Sequence, residues 1–221
     1  MLRPLTLGLA LAAAGCASTS QPVYRTSRAN PSFPPITATP NNYGVAPRAA
    51  LASELFACNG GGGLNIGPIG ERGEAKLYTA YIHTPAGALL RNPAEATCLS
   101  SGFGWRGTAD GGGRQHSGLD LANPNGGFVY AAADGWVSVV EWRGGYGLLL
   151  EIDHGAGVRS LYAHLSEVDP NLTTGTFVGA GAPVARMGSS GNATGVHLHY
   201  EVSIDGLKVD PLAYGVDAPA S

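Results

Sequence analysis

Five side chains that can bind a metal or transfer a proton stand in three short motifs: His116 and Asp120 in HSGLD, His164 in LYAHLS, and His197 and His199 in VHLHYEV. The last segment alternates and is rich in strand-forming residues. Because every second side chain of a strand points to the same face, His197 and His199 should share a face about 6.6 Å apart. An isolated HxH pair is more often two half-buried histidines bonded to nearby carbonyls, so the other two motifs decide what this pair means.

The residue types match a catalytic zinc site, which takes three protein ligands from His and Asp or Glu and leaves a fourth position for water. His116 and Asp120, four residues apart, would share a face of one strand or one helix and supply two ligands. One histidine of the HxH pair supplies the third. Two histidines then remain to act as the base and the acid that amide hydrolysis needs. Each motif alone is weak, since HxxxD is common and a lone histidine such as His164 is usually structural. Together they favour a mononuclear zinc hydrolase.

The segments that must position these residues are short, rich in β-formers and separated by glycine turns. They include GWVSVVEW, YGLLLEIDH, GVRSLYAHL, APVARMG and GVHLHYEVS. None carries a pattern of helical period and helical length. The sequence therefore predicts an all-β, antiparallel domain with few helices over residues 98–212, built as a sandwich or as a partly open barrel.

In chain order, SSGFGWR, HSGLDLA, YAAADGWV, GGYGLLLEIDHG, LYAHLS and MGSSGNATGVHLHYEV resemble the motifs of the lysostaphin-type zinc endopeptidases, also called LytM-like peptidases. The resemblance implies a compact antiparallel β fold with a groove, one zinc ion per domain, and cleavage of stem-peptide bonds in bacterial peptidoglycan. It implies that His116, Asp120 and His199 bind the zinc. It also implies that His164 and His197 orient and deprotonate the water and stabilise the charge that develops on the substrate carbonyl.

The ring nitrogens of His116 and His199 that do not face the metal should donate to carbonyls or carboxylates. Glu201 is a candidate because it shares the strand face of His197 and His199. Three positions depart from the usual family pattern without removing a ligand or a catalytic histidine: Leu148, Asn192 and Val196. Two further histidines have no assigned role and are expected to be structural: His83 and His154.

Two alternatives to a working enzyme stay open. The first is a non-hydrolytic peptidoglycan-binding protein or an activator of cell-wall amidases, although family members of that kind typically lack zinc ligands that this chain keeps. The second is that residues 51–97 cover the groove and hold the enzyme inactive, as the CNGGGG loop in that segment suggests. The sequence indicates neither the exact bond cut nor an oligomeric state.

The first sixteen residues, MLRPLTLGLALAAAGC, predict export. An arginine precedes an apolar run that is too short to span a bilayer, which needs about 20 residues. The AAGC ending resembles the bacterial lipoprotein signal, in which Cys16 would carry the lipid. An ordinary secretory signal cut between Ala14 and Ala17 is the alternative. Because Ala17 is not the aspartate that retains many lipoproteins in the inner membrane, the resemblance implies an anchor in the outer membrane of a Gram-negative bacterium, facing the periplasm.

The rest of the chain divides by composition. Residues 17–50 are rich in Pro, Ser, Thr and Asn and predict an extended tether, and residues 213–221 are a short tail. Between tether and domain, residues 51–97 form an extension in which ALASELFAC is compatible with a short helix. Cys58 and Cys98 form an even pair in an oxidising compartment, which favours a disulfide over two buried thiols. With a net charge of −3 and only two lysines, the sequence lacks the clustered positive charge that nucleic-acid binding requires.

Overall fold

The structure is a computed structural model and describes residues 55–58, 65–66, 80–107 and 112–214. The predicted signal segment (1–16), the tether (17–50) and residues 215–221 of the predicted tail lie outside the described residues, and the predictions for them stay predictions. Within the described part of the chain, no helix is both long enough and apolar enough to cross a bilayer.

Strands dominate the described residues, together with a 3-10 helix at Gly144–Tyr146. The strands are β1 Tyr81–Thr84, β2 Gly87–Leu90, β3 Cys98–Ser101, β4 Gly104–Gly107, β5 Gly113–His116, β6 Leu119–Ala122, β7 Phe128–Tyr130, β8 Gly135–Arg143, β9 Gly147–Gly155, β10 Val158–Val168, β11 Phe177–Val178, β12 Pro183–Met187, β13 His197–Ile204 and β14 Leu207–Val209.

The central sheet is antiparallel and runs in the order β11-β8-β9-β10-β13-β6-β3. The long strand β10 pairs with β9 and β13 over its first part and with β12 over its last part, and β12 also pairs with β7. β14 pairs with the end of β13. β1–β2 and β4–β5 form separate hairpins. The predicted all-β antiparallel fold class is confirmed.

The two faces of β13 differ in chemistry because its residues alternate. Leu198, Tyr200 and Val202 point into the main hydrophobic core, and the face on which they lie is called the core face below. The positions between them point to the other face, which we call the site face. Ala163 and Leu161 of β10 lie directly opposite His199 and Glu201 in the register, so a small apolar cluster around them belongs to the site face.

The described parts of the extension pack into the main core. They contribute buried apolar side chains from three separate stretches: Leu55, Ala57, Ile66, Ile82, Leu89, Leu90 and Ala94. Tyr200 Oη donates a hydrogen bond to Leu90 O over 2.9 Å, which ties β13 to the β1–β2 hairpin. These residues lie on the core face. The described residues of the extension therefore give no support to the hypothesis that it covers the groove.

A disulfide joins Cys58 to Cys98, as the cysteine count favoured. It lies beside a parallel bridge between Ala57 and Leu99, in which Leu99 N–H donates to Phe56 O over 2.8 Å. This pairing gives residues 56–57 the extended conformation of a strand, so the suggested helix is wrong for these residues. Helix formation is prevented because the backbone groups of this stretch are used by β3.

Candidate metal centre

The register of two neighbouring strands brings the first two ligand candidates together. β6 and β13 run antiparallel, and Asp120 lies directly opposite His199. Side chains that are directly opposite in an antiparallel pair project to the same face with Cβ atoms about 5 Å apart. The Asp120 carboxylate and the His199 ring therefore meet on the site face.

His116 reaches the same point from a different element. It ends β5, whereas Asp120 lies in β6, so the expectation that HSGLD forms a face of one strand or helix is wrong. The backbone leaves the strand at Ser117 and Gly118, and the two side chains meet across this break. Gly118 is required because a Cβ there would lie 2.2 Å from Tyr200 O on β13.

Three potential ligand atoms converge at this point: His116 Nε2, His199 Nδ1 and Asp120 Oδ1. The two nitrogens are 3.0 Å apart, and they lie 3.1 and 2.9 Å from the carboxylate oxygen. Tetrahedral zinc with bonds of about 2.05 Å to nitrogen and oxygen separates its ligand atoms by about 3.3 Å. Both histidines are buried, and the three side chains form a candidate metal site.

The remaining ring nitrogens show why this cluster suits a cation. His116 Nδ1–H donates to Gly102 O over 2.6 Å, and His199 Nε2–H donates to Glu201 Oε1 over 3.0 Å. These partners agree with the expectation that carbonyls or carboxylates would orient the two rings, and Glu201 was the named candidate. With those protons so placed, the converging atoms are all acceptors, and acceptors held at this distance need a cation between them. The donor set of two imidazoles and a carboxylate fits zinc.

Arg106 of β4 binds the Asp120 oxygen that is not among the three converging atoms: its Nη2 donates to Oδ2 over 2.6 Å. Burial alone would raise the pKa of Asp120, but the adjacent His116 and His199 rings outweigh burial and hold the pKa far below its usual range. The carboxylate is therefore anionic at any physiological pH. Arg106 occupies one of its oxygens and leaves the other for the metal.

Glu201 is fully buried, accepts hydrogen bonds from two groups besides His199, and forms an ion pair with Lys208. Ser117 Oγ and Tyr146 Oη donate to Oε1, the latter over 2.9 Å, and Lys208 Nζ lies 2.6 Å from Oε2. Burial raises the pKa of Glu201, but the donors from His199, Lys208 and Ser117 prevail and lower it to about 2. Glu201 is therefore a buried anion at physiological pH, in contact with the His199 ring through Nε2.

His164 comes from β10 at an irregular position. Its φ of +58° lies in the left-handed region, which is uncommon for a residue with a side chain and costs of order 1–3 kcal/mol. The β9–β10 register shifts between Tyr162 and Leu165. Ala163 already faces the site, so a regular strand would turn the next side chain into the core. The left-handed residue instead keeps His164 on the site face.

The two remaining histidines face each other beside the cluster. The His164 and His197 ring centroids are 4.7 Å apart, and His197 Nε2 lies 3.7 Å from Asp120 Oδ1. His164 Nδ1–H donates to Ser190 O over 2.8 Å, and His197 Nδ1–H donates to Gly195 O over 2.9 Å. Each ring thus keeps Nε2 free to exchange a proton. Burial lowers the pKa of His164, as do the neighbouring His197 and His199, although the Ser190 carbonyl opposes them.

All five residues singled out in the sequence are brought to one place on the site face. Three further residues of this place had not been assigned a role: Arg106, Ser117 and Lys208. Arg106 and Ser117 stand inside the quoted motifs SSGFGWR and HSGLDLA, which was a usable signal. Lys208 carried no signal, because it reaches Glu201 only through the β13–β14 hairpin. His154 lies elsewhere and bonds Asp134 O and Ser160 Oγ, each over 2.8 Å, in agreement with a structural role.

Comparison with known proteins agrees with this geometry. The sequence profile of peptidase family M23 matches residues 114–211. The DD-carboxypeptidase/endopeptidase Mpg of Neisseria meningitidis is 40% identical over 109 residues, which cover 48% of this chain and 24% of that protein. The murein hydrolase activator EnvC of Escherichia coli is 36% identical over 94 residues, which cover 42% of this chain and 22% of that protein.

A solved structure of a zinc-containing peptidase from Vibrio cholerae superposes with a TM-score of 0.54 at 30% identity, covering 63% of this chain and 47% of that one. The matched region thus spans about a quarter of the length of the curated relatives. The profile match includes all five histidine and aspartate positions of the candidate site. The chain therefore carries, over residues 114–211, a domain of peptidase family M23, the family of the lysostaphin-type peptidases.

Proposed function

We propose that the domain is a zinc-dependent endopeptidase that hydrolyses peptide cross-links of bacterial peptidoglycan during cell-wall remodelling. The observation that carries this proposal is the convergence of three acceptor atoms, from His116, Asp120 and His199, beside two histidines whose Nε2 atoms are free. A binding module needs no such pair of proton-transfer groups next to a metal site. Similarity to a DD-carboxypeptidase/endopeptidase supports the choice of substrate class.

In this proposal His116 Nε2, Asp120 Oδ1 and His199 Nδ1 hold one zinc ion. Zinc in such a site supplies a Lewis acid that polarises a scissile carbonyl and makes water a better nucleophile. Of the two histidines nearby, we assign His164 to accept the proton of the attacking water, because its depressed pKa keeps the ring neutral at physiological pH. His197, next to Asp120, is assigned to orient the water and stabilise the charge developing on the substrate carbonyl.

The similarity to the activator EnvC supports a second candidate, in which the domain stimulates cell-wall amidases without cutting peptidoglycan itself. The complete set of acceptor atoms and free histidines speaks for hydrolysis. The two functions differ in one decisive respect, since an activator has no need of a bound metal to release fragments through a partner enzyme.

The deciding experiment uses the soluble protein, residues 17–221, on purified peptidoglycan with and without a chelator. We expect loss of cross-linked muropeptide dimers that stops when zinc is chelated and resumes when zinc is returned, and mass spectrometry of the fragments would name the bond. If a zinc-loaded, folded protein released nothing alone but accelerated a purified amidase, the activator function would replace the enzymatic one.

We further propose that the protein is exported and anchored through lipid on Cys16 in the outer membrane, facing the periplasm. The support is the AAGC ending of an apolar segment with one preceding arginine, and an oxidising compartment agrees with the Cys58–Cys98 disulfide. Intact mass of the membrane-extracted protein should show a diacylglyceryl modification on the cysteine that Cys16→Ser abolishes. An unmodified N-terminus at Ala17 or nearby would instead indicate ordinary secretion.

A further inference from the structure

The connection from β3 to β4 surrounds two of the candidate metal ligands. Ser100 Oγ donates to Asp120 O over 3.0 Å, and Arg106 Nη2 donates to the Asp120 carboxylate. Between them, Gly102 O is the acceptor that orients the His116 ring. Residues 98–106 thus contact both His116 and Asp120, although they precede the region matched by the family profile, which begins at residue 114.

Two stretches of the extension fix this connection at both ends, and we call them the N-terminal clamp: residues 55–58 and 65–66. At one end the disulfide fastens Cys58 to Cys98, and Leu99 N–H donates to Phe56 O. Three apolar side chains of the clamp are buried in the main core: Leu55, Ala57 and Ile66. The start of β3 is therefore held by a covalent bond, a backbone hydrogen bond and packing.

At the other end Asn65 lies directly on the residue that orients His116. Its backbone oxygen is so close to Gly102 that a Cβ on Gly102 would lie 1.7 Å from it. Its side-chain Nδ2 donates to Trp105 O over 2.8 Å, next to Arg106. Asn65 has a φ of +54°, a left-handed conformation that asparagine tolerates better than most residues. This conformation lets Asn65 contact Gly102 through its backbone and Trp105 through its side chain.

We propose that the N-terminal clamp positions the metal centre: it holds the Gly102 carbonyl and the β4 strand where they orient His116 and Asp120. This inference rests on the proposed metal site and assigns residues 55–58 and 65–66 to the functional unit. In this role the extension supports activity, whereas the covering role considered from the sequence would inhibit it. The clamp residues touch neither the ligand atoms nor a substrate, so they are positioning residues.

The first test is zinc affinity, measured by competition with a chromophoric chelator in the full soluble protein. Outer-shell partners of metal ligands typically affect affinity 10–100-fold, and the clamp acts one contact further out. We therefore expect Asn65→Gly, which keeps the left-handed backbone but loses the amide, to weaken zinc binding roughly threefold to tenfold. Asn65→Ala, which also disfavours the left-handed backbone, should weaken it more. Neither change alters charge, so no Coulombic effect obscures the result.

A second, independent variant is Cys58→Ser with Cys98→Ser, which should weaken zinc binding by a comparable factor. The matched control is Thr84→Val, which removes hydrogen bonds between a side chain and the backbone in the same extension, those of Thr84 Oγ1 with Gly87 O and Ala86 N. They lie in the β1–β2 hairpin, which is separate from the sheet that carries the site. Zinc affinity of the control should equal that of the unaltered protein.

A readout that needs no metal is the ring proton on His116 Nδ1, followed by ¹⁵N NMR in the zinc-free protein. The proton bonded to Gly102 O should exchange faster with solvent in Asn65→Gly and in the disulfide-free variant. Wild-type zinc affinity and wild-type exchange in both variants would overturn the proposal, as would a rise in hydrolysis, which a covering role predicts. Zinc binding that depends on the clamp in a protein that cuts no peptidoglycan would leave the clamp intact and refute the proposed function alone.

Discussion

His164 and His197 face each other across the candidate metal centre with their ring centroids 4.7 Å apart. They come from different strands of one sheet, and their meeting depends on a backbone irregularity. His197 reaches the site face by ordinary strand alternation, whereas His164 reaches it through a left-handed residue that shifts the register of β10. Strain of this kind at a polar, partly buried residue is typical of a functional position.

His164→Ala should keep zinc and lose most of the hydrolytic activity. The His164 side chain contributes none of the three converging atoms, so metal content should stay at one zinc per protein. General acid–base groups contribute about 10²–10⁴-fold to rate, and we expect a loss in that range. Metal analysis together with the rate of dimer loss from peptidoglycan checks both parts, and turnover at the wild-type rate would make His164 a structural residue.

Glu201→Gln should weaken zinc binding about 10–100-fold while leaving the fold intact, because it removes the buried anion that orients the His199 ring. The loss of negative charge and the loss of a firm acceptor act in the same direction. Chelator competition gives the affinity, and His199→Ala, which removes one of three proposed ligands, sets the value expected for a destroyed site. A Glu201→Gln protein that binds zinc as tightly as the wild type would show that the ring needs no anionic partner.

Arg106→Gln should reduce activity roughly tenfold or more with zinc still bound. Removing the guanidinium leaves the Asp120 charge unbalanced, which favours metal retention but makes the metal a weaker Lewis acid. Arg114, opposite Arg106 in the β4–β5 hairpin and exposed, provides the matched control as Arg114→Gln. Equal rates for the two variants in a peptidoglycan digestion assay would show that Arg106 does not contribute to hydrolysis.

Much of the site could be predicted from the sequence because its information is local. Alternation along β13 places His197, His199 and Glu201 on one face, and the expectation that carbonyl or carboxylate groups orient the ligand rings follows from zinc chemistry. The all-β class followed from short β-rich segments between glycines. These features depend on residue type and on spacing within a single strand.

The remaining features depend on contacts between distant segments, which spacing cannot reveal. The side chains of His116 and Asp120 meet across a turn because Gly118 lets β13 pass close to that turn. This constraint exists only once both strands are in place. Lys208 meets Glu201 through a hairpin register, and Asn65 meets Gly102 through packing of the extension on β3. The left-handed conformation of His164 likewise occurs where the partner of β10 along one edge changes from β13 to β12.

Gly118→Ala should disrupt the site more than its size suggests. The new methyl group would lie 2.2 Å from Tyr200 O and 2.9 Å from Glu201 Cγ, and the first of these is a backbone atom that cannot move without shifting β13. We expect a loss of stability of about 1–3 kcal/mol and weaker zinc binding. Urea unfolding and chelator competition check the two effects. Gly175→Ala is the matched control, since Gly175 has nothing within 4 Å of its Cβ position, although its φ of +87° carries its own strain.

His154 should make stability fall at acid pH. Its Nδ1–H donates to Asp134 O, its Nε2 lies 2.8 Å from Ser160 Oγ, and burial of the ring favours its neutral form. Burial lowers the pKa of His154 below its ordinary 6.5, against the Asp134 carbonyl and the nearby carboxylates. Below pH 6.5 the unfolded chain therefore takes up a proton that the folded protein refuses, and the free energy of unfolding falls as pH decreases towards the folded-state pKa.

The measurement is the free energy of unfolding of the zinc-free protein from urea titrations between pH 8 and pH 5, for the wild type and His154→Gln. Near pH 8 the variant should be less stable by about 1–3 kcal/mol, because glutamine cannot satisfy both partners of the ring. The advantage of the wild type should be constant above neutral pH and shrink below it, and the subtraction cancels the titration of Asp120, His199 and Glu201. His83→Gln, at an exposed position of β1, should change stability by no more than about 0.5 kcal/mol. A wild-type advantage that grows on acidification would mean that the ring is charged in the folded protein.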